Sequence, residues 1–394
     1  MSTIPASKVS KLTSAMPFWL SLLLIPLVMY SAYAGGWAVL LVPFATWYLF
    51  SAIDFFSGVN EDNADPQTPD DQLTWYKLIT AVWAPIQFCI IFGMIYFVTP
   101  ADHLSSWEQL FLFLGVGVIT GVIGINYSHE LMHQKPKIER RMGDALLGMV
   151  LYSHFRSEHL LVHHRYVGTP RDPVTARYNE GFWRFFVRVL VECNVSAFLA
   201  EKAMLARKGL PWHHRSNPFW QYWLWQASFL LLALLLGDVW GLFLFLIQAV
   251  VAVFQLELVN YVEHYGLTRK HLGEGKYEHV MPRHSWNSAQ RASNWLLINL
   301  QRHSDHHYKP DRRFPLLQNH GAADAPQLPF GYSIMTLTAL SPRIWRRVMN
   351  PRVRKWRAMY YPEITDWAPY KDGSLPLPKS GVIRVHWLGV GEKL

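Results

Sequence analysis

Long uncharged runs of apolar residues alternate with polar, histidine-rich stretches along this chain. A helix needs about 20 apolar residues to cross about 30 Å of hydrocarbon, and six runs approach that length. They cover residues 17–34, 37–53, 78–98, 110–127, 219–236 and 240–262. Within each successive pair the runs are joined by a short turn, such as Gly35-Gly36 or Gly237-Asp238. The pattern therefore predicts an all-α membrane protein whose six transmembrane helices form three hairpins.

The distribution of basic residues predicts how these helices are oriented. The three hairpin turns contain no Lys or Arg, whereas Lys8 and Lys11 precede the first helix and residues 129–218 carry many basic side chains. Loops enriched in Lys and Arg stay on the cytoplasmic side. We therefore expect both termini and the segments 129–218 and 263–361 to lie on the cytoplasmic side of the membrane. The whole chain, 1–394, is expected to form one membrane-embedded domain with a cytoplasmic, histidine-rich cap.

The composition agrees with a protein that lies partly in the membrane and partly outside it. Only 16% of the residues are charged, against about 25% in soluble domains, yet the mean hydropathy is only +0.06. The net charge of +9 is explained by basic loops that face anionic lipid, and no nucleic-acid partner is expected. The cysteines Cys89 and Cys193 are too few for an iron–sulfur cluster and form no CxxC pair. Any electrons that the protein uses must therefore come from outside the chain.

Three histidine-rich motifs and one further histidine lie next to or between the predicted helices. The motifs are HELMH at 129–133, EHLLVHH at 158–164 and QRHSDHH at 301–307, and the further histidine is His264 in NYVEHYGL at 260–267. His129 and His133 are four positions apart, so on a helix they share one face and can reach one metal. His159 and His163 have the same spacing, whereas His164 is rotated by about 100°. This adjacent pair of candidate ligands indicates two metals.

The charge-derived topology places all four histidine segments on one side of the membrane, which favours a common metal centre over unrelated surface histidines. The nine candidate ligands are His129, His133, His159, His163, His164, His264, His303, His306 and His307. Shared between two metals, they give four or five nitrogens per ion and no thiolate. Structural zinc closes its shell at four ligands, whereas ferrous iron accepts more and can leave a position for oxygen. We therefore expect two iron ions.

An all-nitrogen ligand set leaves the metal charge uncompensated, so carboxylates are expected just behind it to hold the ring N–H groups. The polar residues close to the candidate ligands in sequence are Glu130, Glu158, Glu257, Asn260, Glu263 and Asp305. Glu257 is the most informative of them because it lies within an apolar run, where an ionisable side chain is normally functional.

The segments HELMH, EHLLVHH, LQRHSDHH and NYVEHYGL together resemble those of the integral-membrane non-haem diiron alkane monooxygenases, the rubredoxin-dependent alkane 1-hydroxylases of the desaturase and hydroxylase superfamily. The resemblance covers nearly the whole chain and implies that the same nine histidines bind two irons. It further implies O₂-dependent hydroxylation of medium-chain n-alkanes to primary alcohols. Electrons would come from NAD(P)H through a rubredoxin reductase and a rubredoxin. The resemblance also implies a bacterial inner membrane and makes 129–218 and 263–361 the catalytic segments.

Two further sets of residues are hypotheses about the substrate and the donor. An alkane dissolved in lipid could enter between the helices, and the candidate pocket residues are Trp47, Phe50, Phe55, Phe56, Phe88 and Phe254. Exposed basic residues near the histidine motifs could steer an acidic donor protein, and the candidates are Arg156, Arg165, Arg171 and Arg302.

Three other functions agree with part of the sequence. A related enzyme of the same superfamily would act on alkylaromatic methyl groups, as in xylene, or on fatty acyl chains. The HExxH pattern also occurs in zinc proteases, but that function would leave the remaining histidines unexplained. A metal transporter or sensor would place ionisable residues through the depth of the bilayer, whereas here the histidines collect at one end.

Overall fold

The computed structural model describes residues 3–378, and the regular secondary structure of this part of the chain is almost all helical. Five of its helices are long and apolar enough to cross a membrane, and we call them the first to the fifth span. They are Leu12–Ala34, Gly36–Ser57, Asp70–Val98, Ser106–Met132 and Phe219–His264. The spans contain all six predicted apolar runs and extend most of them by a few residues. The predicted helical membrane protein is thus confirmed.

The fifth span is 46 residues long and contains a reversal of the chain. Its backbone leaves the helical conformation at Gly237 (φ −143°, ψ 22°) and Asp238 (φ 51°, ψ −155°). The ring centroid of Phe92 in the third span lies 5.7 Å from those of both Phe229 and Phe245. In one straight helix these two residues would be about 24 Å apart along the axis. The two halves of the fifth span therefore pack side by side.

Shorter elements connect the spans and cover one end of the bundle. The helices outside the spans are Ala6–Val9, Lys137–Gly148, Phe155–Glu158, His159–His163, His164–Tyr166, Phe182–Ala206, Arg291–Leu296, His303–Tyr308, Tyr332–Ala339, Pro342–Tyr360 and Ala368–Asp372, with 3-10 turns at Pro282–His284 and Phe314–Leu316. Two short strands, Thr3–Ile4 and Asn63–Ala64, pair in parallel.

Close packing between the fourth and fifth spans holds the centre of the bundle together. A Cβ atom at Gly117 would lie 2.6 Å from the Cβ of Val251, and one at Gly121 would lie 2.9 Å from the backbone of Ala252. Small residues at this spacing allow two helix backbones to approach each other closely. The GxxxG pattern of the fourth span therefore serves packing within the chain.

A buried ion-pair network ties the helix Phe182–Ala206 to the end of the fifth span. Arg188 contacts Glu180 at 2.9 Å and Glu192 at 3.2 Å. The hydroxyl of Tyr261 donates a hydrogen bond to the backbone carbonyl of Glu180 at 2.6 Å. Since a buried cation is tolerated only when it is well paired, this network fixes how the helix sits beside the segment that carries His264.

Candidate metal centre

The four histidine segments meet at one end of the bundle. The HELMH motif lies at the end of the fourth span, where a π-helical turn, Thr120–Ile125, is followed by the helix Asn126–Met132. The fifth span ends at His264. The second and third motifs lie in short helices between and after these spans, and they fold against the two span ends. All nine predicted ligands are buried or half-buried.

The nine histidines form two groups, in each of which the ligand atoms lie within 4.8 Å of one another. The first group contains His129, His133, His159, His164 and His306, and the second contains His163, His264, His303 and His307. The Nε2 atoms of His129 and His159 are 2.9 Å apart, and those of His303 and His307 are 3.0 Å apart. Two nitrogens bound to one metal at about 2.1 Å, with a right angle between them, would be about 3.0 Å apart. The arrangement therefore fits one metal ion in each group.

The electrostatics of the site favour the neutral form of His133, His159 and His164. Burial, followed by repulsion from His163, lowers the pKa of His133 to about 3. Burial and neighbouring histidines likewise hold the pKa values of His159 and His164 well below the usual value. Neutral imidazole is the form that binds a metal, and it has only one N–H to donate. Several Nε2 atoms that face one another cannot all be satisfied by hydrogen bonds, whereas a cation between them satisfies every lone pair.

The second motif departs from the helical geometry that its spacing predicts. Residues His159–His163 form a π-helical turn, which brings residues five positions apart onto one side, and the Nε2 atoms of His159 and His164 are 2.9 Å apart. His163 instead faces the second group, with its Nε2 3.2 Å from that of His307. The prediction that His159 and His163 share a face was therefore wrong. The inference of two metals from the adjacent pair His163 and His164 agrees with the two groups.

Glu263, Glu257 and Glu158 are buried, and one of these three predicted carboxylates contacts a candidate ligand. An oxygen of Glu263 lies 3.3 Å from Nε2 of His303. Glu257 accepts hydrogen bonds from the Tyr152 hydroxyl at 2.9 Å and from the Asn260 side-chain amide at 3.0 Å. Glu158 is buried, and neither of its oxygens has a hydrogen-bond partner in the described part of the chain. Burial, with Asp172 and Glu257 nearby, raises the pKa of Glu158 well above its usual value.

Glu130 and Asp305 brace the surrounding protein instead of holding a ligand ring. Glu130 accepts hydrogen bonds from the side chain of Gln134 at 3.0 Å and from the backbone N–H of Phe314 at 3.2 Å. Asp305 accepts from Arg312 at 2.5 Å and from the backbone N–H of Gln318 at 2.9 Å. These contacts depart from the predicted role of the two carboxylates, because their oxygens are taken up by loop residues.

Asp172 is a candidate site residue that the sequence analysis missed. Its Oδ2 lies 3.0 Å from Nδ1 of His163, and both side chains are almost completely buried. The Thr175 hydroxyl and the Val174 backbone N–H donate to its two oxygens at 2.6 and 3.1 Å. A carboxylate at Nδ1 fixes the tautomer and the orientation of a ligand ring. The only sequence signal is that Asp172 is the first carboxylate after the second motif.

A largely apolar cavity adjoins both histidine groups. It is lined by His129 and His159 of the first group and by His303 of the second. Its apolar walls come mainly from the fourth and fifth spans and from residues 297–300, and they include Val122, Ile125, Phe155, Leu256, Val259, Leu297 and Leu300. The cavity has a volume of only about 50 Å³, so it accommodates the end of an apolar chain beside the two groups and not a whole medium-chain molecule.

The six aromatic residues predicted to form a substrate pocket do not line this cavity. Phe55 and Phe56 are 83% and 84% exposed. Phe88 packs on Phe92, and Phe254 packs on Phe182. Trp47 and Phe50 belong to the second span, which contributes no residue to the cavity lining. The reason is that the rotation of each helix about its axis, which composition does not reveal, decides where its side chains point.

The four arginines predicted to receive an electron donor do not form an exposed surface. Arg171 and Arg302 are only 8% and 4% exposed, and Arg302 donates to the backbone carbonyl of Leu317 at 2.7 Å. Arg156 is paired with Asp144 at 2.8 Å. Of the four, only Arg165 is exposed. Buried guanidinium groups brace the loops around the site and cannot meet another protein.

Comparison with known proteins shows which sequences this chain is similar to. Residues 105–339 match the family model described as fatty acid desaturase. Alkane 1-monooxygenase 2 of Pseudomonas aeruginosa is 36% identical over 338 residues, which cover 84% of this chain and 88% of the relative. Alkane 1-monooxygenase 2 of Alcanivorax borkumensis is 35% identical over 354 residues, 86% of this chain and 90% of the relative. The hydroxylase component of the Pseudomonas putida xylene/toluene monooxygenase is 28% identical over 277 residues, 68% and 72% of the two chains.

Proposed function

The chain belongs to the fatty acid desaturase family and, within it, to the alkane 1-monooxygenases, and on this basis we propose that it hydroxylates the terminal methyl group of medium-chain n-alkanes with O₂. The product is a primary alcohol. The observation that carries this proposal is the pair of histidine groups at one end of a bundle of apolar helices, with a small apolar cavity beside both groups. The methyl end of a hydrocarbon can leave the lipid for this cavity without losing hydrogen bonds, because it has none.

The nine histidines are proposed as the ligands of two iron ions, with five nitrogens for one ion and four for the other. When bound, the irons supply the activation of O₂ and the oxidation of the C–H bond. The chain's own residues set the arrangement around them. Asp172 fixes the ring of His163, and Glu263 adds a carboxylate oxygen beside His303. The apolar walls of the cavity exclude water and direct one end of the substrate toward the histidines.

The lining of the cavity suits the apolar end of a substrate and excludes a carboxylate. None of the residues that line it is Lys or Arg, so a fatty acid that entered with its carboxylate first would have no charged partner there. Burying an unpaired carboxylate is strongly unfavourable. The identity of 36% to an alkane monooxygenase, against 28% to the xylene/toluene enzyme, favours n-alkanes over alkylaromatic substrates.

Six membrane crossings are proposed, because the fifth span reverses at Gly237-Asp238 and so supplies two of them. The histidine end is placed on the cytoplasmic side of the inner membrane, since basic residues are concentrated in the segments around it. This orientation gives access to a cytoplasmic rubredoxin and its NAD(P)H-dependent reductase, which we propose as the electron source. The whole chain, 1–394, acts as one domain in this scheme, although residues 1–2 and 379–394 lie outside the described part.

The activity is tested with purified protein in lipid nanodiscs, supplied with NADH, a rubredoxin and a rubredoxin reductase. Octane should give 1-octanol, and metal analysis should find about two irons per chain. p-Xylene and octanoic acid serve as competing substrates and should be oxidised far more slowly. A preference for either of them would contradict the assignment to alkanes, and active protein that contains zinc and no iron would contradict the metal.

The ligand assignment is tested by His163→Ala and His307→Ala. Each variant removes one of the four nitrogens of the second group, so bound iron should fall and octane turnover should be lost. His213→Ala is the matched control, because His213 is exposed and belongs to neither group. Normal iron content and turnover in either ligand variant would show that the second group is not an iron site.

A further inference from the structure

The helix Pro342–Tyr360, which we call the basic helix, concentrates positive charge on the surface of the protein. It has seven cations and no acidic residue, and the cations are Arg343, Arg346, Arg347, Arg352, Arg354, Lys355 and Arg357. Within residues 3–378, none of them lies within 4.0 Å of a carboxylate oxygen. Five of them, all but Arg352 and Arg357, are exposed. The positive field on this face is therefore not neutralised by neighbouring acidic groups.

The opposite face of the basic helix is already occupied by the protein. Trp345, Met349, Val353 and Trp356 are buried there in an apolar cluster. An amphipathic helix that binds a lipid surface inserts its apolar face into the membrane. The basic helix has most of that face engaged within the protein, and its exposed residues are the five cations together with a few others, among which Ile344 and Met359 are the large apolar ones. This arrangement favours an acidic protein over a lipid surface as its partner.

The basic helix also packs directly on the segment that follows a candidate iron ligand. The ring of Trp345 lies 5.3 Å from the ring of Tyr265, whose hydroxyl donates to the side chain of Asn350 at 2.7 Å. A Cβ atom at Gly266 would lie 2.9 Å from a methyl group of Val353. Both Tyr265 and Gly266 directly follow His264. About the thickness of one helix, roughly 10 Å, thus separates the exposed cations from the backbone that carries His264.

We propose that the exposed face of the basic helix is the docking surface for an acidic electron carrier of the rubredoxin type, and that electrons enter at the second histidine group through His264–Gly266. This inference rests on the proposed monooxygenase function, which requires an external electron donor. The two cysteines of the chain stand alone, one exposed and one buried, and provide no carrier of their own. Complementary charge steers association and fixes orientation, and electron transfer falls steeply with distance, so a surface next to a ligand segment is the efficient place to dock.

The test reverses three exposed charges of the basic helix together, in the variant Arg343→Glu, Arg347→Glu and Lys355→Glu. The matched control reverses three exposed cations in and just after the last turns of the helix Phe182–Ala206, in Lys202→Glu, Arg207→Glu and Lys208→Glu. Both proteins are placed in phosphatidylcholine nanodiscs, and octane turnover is measured against rubredoxin concentration. Direct binding of rubredoxin to the immobilised nanodiscs is measured in parallel. The basic-helix variant should raise the apparent KM for rubredoxin and weaken binding about tenfold or more, while the control changes neither by more than twofold.

A single turnover started with dithionite, without rubredoxin, separates this inference from the proposed function. Wild type and both variants should form equal amounts of 1-octanol in that experiment. If the wild-type protein formed no 1-octanol, the monooxygenase function itself would be contradicted. An unchanged KM and unchanged binding in the basic-helix variant, with normal single turnover, would overturn the docking surface alone. A defect that appears only in nanodiscs containing anionic phosphatidylglycerol would also overturn it, because it would identify the basic helix as a lipid-binding element.

Discussion

Asp172 shows how one buried carboxylate can organise a histidine site. It lies at Nδ1 of His163 on the side away from the second group, so the proton is held at Nδ1 and the Nε2 lone pair is directed inward. The carboxylate is itself fixed by Thr175 and Val174. Orientation therefore passes from a loop, through a carboxylate, to a candidate ligand. Glu158 differs in that its oxygens have no such partners within residues 3–378.

Replacing Asp172 should weaken metal binding without removing a ligand. In Asp172→Ala, iron affinity or octane turnover should fall about 10- to 100-fold, the range typical of residues that support a metal ligand. Asp172→Asn retains an oxygen that can accept from Nδ1–H of His163, so it should show a smaller loss. Iron affinity is measured by competition with a chelator, and thermal unfolding of the iron-loaded protein is recorded alongside. Wild-type affinity in Asp172→Ala would exclude the positioning role.

Two structural devices in the helices decide where the site lies. The π-helical turn His159–His163 places His164 in the same group as His159, whereas an α-helix with the same sequence would have placed His163 there. The glycines of the fourth span allow the fifth span to approach, so that the ends carrying His129 and His264 come together. Both the π-helical turn and the glycine contact act through backbone geometry. π-Helical turns are frequently found at functional sites.

The glycine contact between these spans predicts a stability difference between two similar substitutions. Gly117→Ala places a Cβ atom 2.6 Å from Val251 and 2.8 Å from the carbonyl oxygen of Gln248, and such overpacking costs about 1–3 kcal/mol. Gly93→Ala is the matched control, because a Cβ atom there meets nothing within 4 Å and alanine favours a helix by about 1 kcal/mol. Thermal unfolding in detergent should therefore show a lower midpoint for Gly117→Ala and an unchanged or higher one for Gly93→Ala. Equal midpoints would show that the two spans separate readily.

The molecule as a whole divides into an apolar bundle and a polar layer that covers one end of it. The spans bury their glycine-rich and aromatic contacts in the bundle, while the nine histidines, the buried ion pairs and the basic helix lie in or next to the polar layer. The proposed path of the reaction follows this division. The alkane comes from the lipid side through the apolar cavity, and electrons come from the opposite side through the basic helix.

The proposed orientation predicts which side of the membrane two single cysteines occupy. With Cys89 replaced by Ser, Asp102→Cys in the turn before the fourth span should react with an impermeant maleimide on intact cells, since this residue is exposed. Lys137→Cys, also exposed, should react only after the membrane is permeabilised. Labelling of Lys137→Cys in intact cells would reverse the orientation and place the histidines out of reach of a cytoplasmic donor.

The apolar runs and the histidine spacings were readable from the sequence because both depend on residues close together in the chain. Hydropathy over about 20 residues locates a span, and the motifs name nine histidines that the structure indeed brings together. The break at Gly237-Asp238 was likewise visible as a local turn. The family resemblance, carried by the same short motifs, is confirmed by relatives that cover most of the chain.

Tertiary structure alone decided how these residues are used. The division of the nine histidines into five and four depends on a π-turn, and the role of Asp172 depends on a loop that folds back onto His163. The cavity lining and the burial of Arg171 and Arg302 depend on how each helix is rotated and on which segments pack against it. These properties arise from contacts between residues far apart in the chain, and hydropathy and motif spacing report only on near neighbours.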